Sequence, residues 1–127
     1  MSESREAERT IRALHDARVR GDLAAMCSLF APEGEFRIAG ASDGKPISVD
    51  AKSLAEFTPW LSMMVKVFRI TNYDLKTEIV DAQRAAVLWH ADIRSRITGV
   101  SVATELVDMV EVRKGLIVRY NELFTPR

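Results

Sequence analysis

At 127 residues, 47% of them apolar and 28% charged, the chain has the size and composition of one soluble domain built around a single core. Eighteen basic and eighteen acidic side chains cancel, and no basic stripe stands out, so a nucleic-acid partner is not expected. No apolar run approaches the length of a membrane span, and the opening MSESREAERT is charged where a secretion signal would be apolar, which predicts a cytoplasmic protein without a membrane partner. The single cysteine, Cys27, cannot form an internal disulfide and reads as a small buried residue in an apolar helical pattern.

From Ser4 to about Arg20, Ala7, Ile11, Leu14 and Ala17 recur at helical spacing, and Gly21 ends that helix. Asp22 is placed to cap a short second helix with Leu23, Met26, Cys27 and Phe30 inward, stopped by Pro32. Glu35 to Ala39 reads as a short strand, and residues 40–46 have loop chemistry throughout. Asp50 offers a cap for a helix through Leu54 and Phe57, and Thr58-Pro59 reads as a restart, with Trp60, Leu61, Met64, Val65 and Phe68 forming a broad buried face that can include a pocket wall.

After Phe68 the period changes to two. Strands are predicted over Ile70–Val80, Arg84–Ile97, Ser101–Val112 and Leu116–Phe124. Helices followed by a meander of strands predict an α+β fold, a cone in which N-terminal helices pack on a curved, mostly antiparallel sheet.

Asp108 interrupts the apolar face Val102, Leu106, Val110 and Val112, so an acid is aimed at an apolar interior. A two-residue loop at Thr98-Gly99 sets Trp89 opposite Asp108, Ala91 opposite Leu106 and Ile93 opposite Thr104. A three-residue loop at Arg113-Lys114-Gly115 sets Tyr120 opposite Asp108 and Glu122 opposite Leu106. Both turns give one interior: Val87, Trp89, Ala91, Ile93, Thr104, Leu106, Asp108, Val110, Val118, Tyr120, Glu122 and Phe124. His90, Asp92, Arg94 and Arg96 then face outward, with Asp92 across from Glu105 as a mildly unfavourable pair. A loop one residue longer would flip the strand and bring His90 beside Asp108 instead.

The chain resembles the nuclear transport factor 2-like superfamily, and within it the SnoaL-like and ketosteroid isomerase-like branch. The likeness rests on Arg20-Gly21-Asp22-Leu23, Leu29-Phe30-Ala31-Pro32, Leu106-Val107-Asp108-Met109-Val110, Lys114-Gly115-Leu116-Ile117 and Glu122-Leu123-Phe124, and it spans nearly the whole chain. The resemblance implies a cystatin-like cone and makes Asp108 the counterpart of the protonated aspartate that donates to a substrate oxyanion. It also sets Leu14 where those isomerases carry a tyrosine and Ile38 where they carry the aspartate base, so a steroid isomerase mechanism is not implied. Epoxide hydrolases similar to the limonene type share the fold. Glu122 falls at their last-strand acid, but Ala91, Ile93, Phe36 and Ile38 replace the other four site residues. His90-x-Asp92 imitates their Arg-x-Asp spacing only in the flipped register.

Asp108, Glu122 and Tyr120 are therefore the candidate catalytic residues, with Leu14, Ile38, Trp60, Met64, Trp89, Ile93, Leu106, Val110 and Phe124 lining the pocket. Two carboxyls in one apolar cone repel when both are ionised, so at least one should keep its proton to unusually high pH. The alternative is that Tyr120 satisfies Asp108 while Glu122 lies at the rim. His15, beside Leu14, is expected at the helix edge. Two distant histidines do not make a metal site, and no glycine loop suggests a phosphate-bearing cofactor. The sequence thus predicts a cofactor-free isomerase, cyclase or hydrolase acting on a small apolar molecule, or a non-catalytic module binding one. A homodimer is expected through the outer sheet face, where Val107 and Met109 stand among Glu105, Glu111, Arg94 and Arg96.

Overall fold

A computed structural model describes residues 2–42 and 44–127. The elements run α1 (Ser2–Arg20), α2 (Leu23–Cys27), β1 (Phe30–Ser42), β2 (Lys45–Ala51), α3 (Leu54–Lys66), β3 (Phe68–Asp81), β4 (Arg84–Ser95), β5 (Ser101–Arg113) and β6 (Leu116–Pro126). Among the described residues six strands form one curved, unclosed sheet in the order β2-β1-β6-β5-β4-β3, with only the β1–β6 pair parallel. Helix α1 packs on β3, β4 and β5 while α3 packs on β1, β2 and β3, which covers the concave face and makes the expected α+β cone.

The end of α1 is fixed by local chemistry. Gly21 takes φ +74°, its NH bonds the Arg18 carbonyl at 3.1 Å, and the Asp22 NH reaches back to the Ala17 carbonyl at 2.9 Å. Those two bonds close a left-handed helix end that a side chain at Gly21 would strain. Asp22 then caps α2 as predicted, its Oδ1 accepting from the Ala25 NH at 3.0 Å. This joint fixes the last turn of α1, which carries Arg18, against the sheet.

Several expectations about boundaries need correction. Phe30 opens β1 rather than closing α2, and Pro32 lies within β1. The predicted loop over 40–46 is mostly a hairpin, with β1 running to Ser42 and β2 starting at Lys45; Asp43 lies outside the described residues. Asp50 belongs to β2, and the cap of α3 is Ser53, whose hydroxyl accepts from the Glu56 NH at 3.2 Å. Thr58-Pro59 is no restart, because α3 passes through Pro59 unbroken and the Thr58 hydroxyl bonds the Leu54 carbonyl at 2.7 Å. The buried face of α3 is Phe57, Leu61, Met64 and Val65, whereas Trp60 and Phe68 are more than one-third exposed.

Both predicted turn lengths are also wrong, yet β4 throughout and β6 from Arg119 onward keep their expected inner faces. A four-residue loop, Arg96 to Gly99, joins β4 to β5, with the Ser95 NH bonding the Val100 carbonyl at 2.9 Å. This slides β4 by two residues, so Trp89 lies opposite Leu106, Ala91 opposite Thr104 and Ile93 opposite Val102. A shift of two preserves the in-and-out alternation, and Trp89, Ala91, Leu106 and Asp108 are all buried. His90 stays outside, bonded to Glu105 at 3.0 Å, so the flipped register does not occur; Glu105 faces His90, not Asp92. The β5–β6 turn is the two-residue Lys114-Gly115, both residues at positive φ, with a bulge between Glu111 and Val112. Tyr120 therefore pairs with Val110, and Glu122 with Asp108; Ile117 takes the buried position expected for Val118.

Candidate active site

The slide of β6 brings the two acids directly opposite each other across β5 and β6, both buried: Asp108 is 0% exposed and Glu122 2%. That rules out a rim position for Glu122. The Tyr120 hydroxyl donates to Glu122 Oε2 at 2.7 Å rather than to Asp108, and its ring closes an aromatic cluster with Phe30, Phe36 and Phe57. Trp89 Nε1 donates to Asp108 Oδ2 at 3.2 Å.

Helix α1 supplies the rest, and the sequence reading missed it. His15, 4% exposed, places Nε2 2.6 Å from Asp108 Oδ2, and Arg18, 8% exposed, donates from a terminal guanidinium nitrogen to Glu122 Oε2 at 2.5 Å. The guanidinium also lies 5.3 Å over the Trp89 ring, a cation–π arrangement. Ile11, Leu14, His15 and Arg18 stand at i, i+3, i+4 and i+7, so the buried stripe of α1 carries two polar residues in ordinary helical register. Spacing alone could have found them, had His and Arg been allowed on an inward face. Tyr73 on β3 was also missed. Its hydroxyl lies 2.7 Å from His15 Nδ1 although the residue as a whole is 37% exposed.

A bulge in β3 aims that tyrosine. Asn72 takes a left-handed φ of 52° where the β3–β4 pairing skips from Thr71 to Asp74, and its side-chain amide donates to Asp92 Oδ2 at 2.6 Å. The bulge breaks strict alternation and turns the Tyr73 hydroxyl toward α1.

The cluster holds one firm positive charge and two acids. Burial disfavours the charge on Arg18, but Glu122, Tyr120 and Asp108 outweigh that and keep it protonated. Burial pushes Glu122 up to about 7; Arg18 opposes this and Asp108 adds to it. Burial likewise raises Asp108, opposed by its contacts with Glu122, Arg18 and Trp89. Burial, helped by Arg18, drops His15 to about 4, so the imidazole is neutral near pH 7. With two buried acids beside Arg18, both shifts run toward a retained proton on the pair. Asp108 Oδ1 is buried with no donor among the described groups, and Asp108 stands opposite Glu122, near enough for a carboxyl proton to be shared between the two residues.

The other predicted lining residues divide by depth. Leu14, Ile38, Met64, Leu106 and Val110 are buried, with Ile38 beside Glu122 in the parallel β1–β6 pairing. Ile93 and Phe124 are partly buried, and Trp60 is 38% exposed. Among the described residues, no three His, Cys, Asp or Glu side chains converge as a metal would require.

A model of the SnoaL-like domain matches residues 11–120. The chain belongs to the SnoaL-like family. Its fold is similar to a candidate isomerase of Bacillus subtilis at a TM-score of 0.82 and 20% identity, covering 98% of this chain and 89% of that one. It is also similar to an NTF2-like protein of Burkholderia xenovorans (0.74, 18% identity, 94% and 89% covered) and to an epoxide hydrolase of Mycobacterium tuberculosis resembling the limonene type (0.73, 13% identity, 94% and 82% covered). At these identities the likeness establishes the nuclear transport factor 2-like fold and leaves the chemistry to the residues. No curated protein matches the sequence significantly. No helix among the described residues is long and apolar enough to cross a membrane.

Proposed function

We propose that this SnoaL-like domain is a cofactor-free acid–base enzyme that isomerises, cyclises or hydrolyses a small, largely apolar molecule carrying a carbonyl or epoxide oxygen. The observation that carries the reading is the enclosed Asp108–Glu122 pair served by one counter-charge, Arg18. Burying two acids against a single cation is costly, and such an arrangement holds one proton that can be given or taken near neutral pH. Asp108 is the hydrogen-bond donor toward the ligand oxygen and Glu122 the base, with Tyr120 and Arg18 fixing the Glu122 carboxylate. Leu14, Ile38, Trp89, Leu106 and Val110 supply the apolar wall. Entry is expected past the less enclosed residues, Trp60, Ile93 and Phe124.

The chain is expected to work in the cytoplasm as a homodimer. The outer sheet face bears exposed Ile79, Met109 and Leu123 and a shallow groove of about 330 Å³ edged by Arg84, Glu111 and Arg119, which suits an isologous contact with paired charges.

The test is proton exchange on probes. Cyclic ketones in D2O should gain deuterium at the α-carbon, or epoxides should be hydrated, with Glu122→Gln slowing the reaction by about 10²–10⁴-fold. The apolar residues Leu14, Phe36 and Ile38 at family site positions favour a second reading, a non-catalytic carrier. Probes that bind without exchange or hydration would decide for it.

A further inference from the structure

We infer that Tyr73 and His15 form a proton relay between solvent and the enclosed Asp108–Glu122 pair, an inference that rests on the acid–base reading above. An acid sealed at 0% exposure cannot trade protons with water directly, yet an acid–base cycle must return the site to its starting protonation state. On the Glu122 side the network ends in Arg18 and Tyr120, both buried. On the Asp108 side it continues through His15 Nε2 at 2.6 Å and from His15 Nδ1 to the Tyr73 hydroxyl at 2.7 Å, and Tyr73 reaches the surface.

The relay balances without any charged intermediate on the ring. Solvent gives a proton to the Tyr73 oxygen, the Tyr73 hydroxyl proton passes to His15 Nδ1, and the proton on His15 Nε2 passes to Asp108 Oδ2. The net result is one proton moved from water to the carboxylate, with the imidazole neutral throughout and changed only in tautomer. The same three bonds run in reverse to release it. The groups around the path suit this use. His15, held near 4, does not trap the proton as imidazolium, and burial together with the nearby acids Asp108 and Glu78 lifts Tyr73 to about 12, so its hydroxyl stays protonated. Facing the path are Arg12 and Arg18 from α1, Glu78 from β3, Trp89 from β4 and Tyr120 from β6; α3 turns only apolar side chains to the core. Arg12 and Glu78 pair with each other at 2.8 Å near the outer end. The bulge at Asn72 supports the same role, because the left-handed conformation that asparagine tolerates is used at the place where it turns Tyr73 toward His15.

The test reads proton movement in the free protein, so it does not depend on turnover. In a Trp60→Phe background, emission comes from Trp89, whose indole NH bonds Asp108 and senses its charge. After a stopped-flow jump from pH 8 to pH 6, Tyr73→Phe should slow the relaxation at least about tenfold, because proton entry must then wait for local opening of the fold. The amplitude and equilibrium midpoint should stay those of the parent. His15→Gln, which can still hydrogen-bond Asp108 but cannot relay a proton, should slow it equally and serves if Tyr73→Phe does not fold. A rate within about twofold of the parent in the folded variant would overturn the relay. Relay failure with Glu122-dependent exchange on probes intact would leave the acid–base function standing; a working relay without probe turnover would point to the carrier.

Discussion

Replacing Arg18 by Leu should uncover the charge problem that the site solves. Among the described residues the guanidinium is the one firm cation beside two buried acids, and burial pushes Glu122 up to about 7 with it present. Without it Glu122 can relieve its position only by holding its proton to higher pH. A carboxyl whose folded pKa lies above its unfolded value of 4.5 binds more protons when folded, so stability falls as pH rises through that window. In the parent the Glu122 contribution levels off above about pH 7, whereas in Arg18→Leu it should keep falling by about 1.4 kcal/mol per pH unit until the new pKa is reached. Breaking a buried pair by removing one partner costs about 3–5 kcal/mol, and that full loss belongs to the alkaline side, where Glu122 would be left as an unpaired buried anion. Urea unfolding at pH 5.5, 7 and 8.5 measures this directly. An Arg18→Leu deficit that is the same at all three pH values would refute the argument, since it would mean the arginine matters for packing and not as a counter-charge.

His15→Gln removes a buried imidazole whose folded value of about 4 lies below its unfolded 6.5. A group depressed in this way destabilises the fold as pH drops from 6.5 to 4, so the parent should lose about 3 kcal/mol relative to the variant over that interval; parallel unfolding curves would count against it. Met109→Lys, in the middle of the outer face, should convert a dimer to monomer in light scattering while leaving the circular dichroism unchanged. A monomeric parent would remove the dimer from the account.

The architecture was legible because it rests on periodicity. The change from helical spacing to alternation after Phe68 gave the order of helices and strands, and Asp108, interrupting an alternating apolar run, pointed to the candidate site. Partners were less legible. Loop length decides which residues face each other: the four-residue loop after Ser95 slid β4 by two and kept its faces, whereas the two-residue turn at Lys114-Gly115 shifted the start of β6 by one, burying Ile117 in place of Val118, until the bulge between Ile117 and Arg119 restored the expected faces. Trp89, Asp108, Tyr120 and Glu122 therefore stayed on the inner face while their pairings changed. Tyr73 was hidden because its aim depends on a bulge at Asn72 that alternation does not encode. His15 and Arg18 were visible in register with Ile11 and Leu14. They were passed over because a charged residue on a helix is ordinarily assigned to solvent, a rule that fails where the opposing strands bring acids.

The central claim is that Asp108 and Glu122 are a buried pair sharing one proton near neutral pH, held by a single cation. Carbon NMR of the two side-chain carboxyls in the free protein, followed from pH 4 to pH 9, tests it most directly. The account predicts that Glu122 titrates near 7, that Asp108 stays above its ordinary value, and that each carbon responds to the titration of the other. Two independent carboxyls titrating at or below about 4 would contradict it, because both acids would then be solvated or fully paired, with no proton to share.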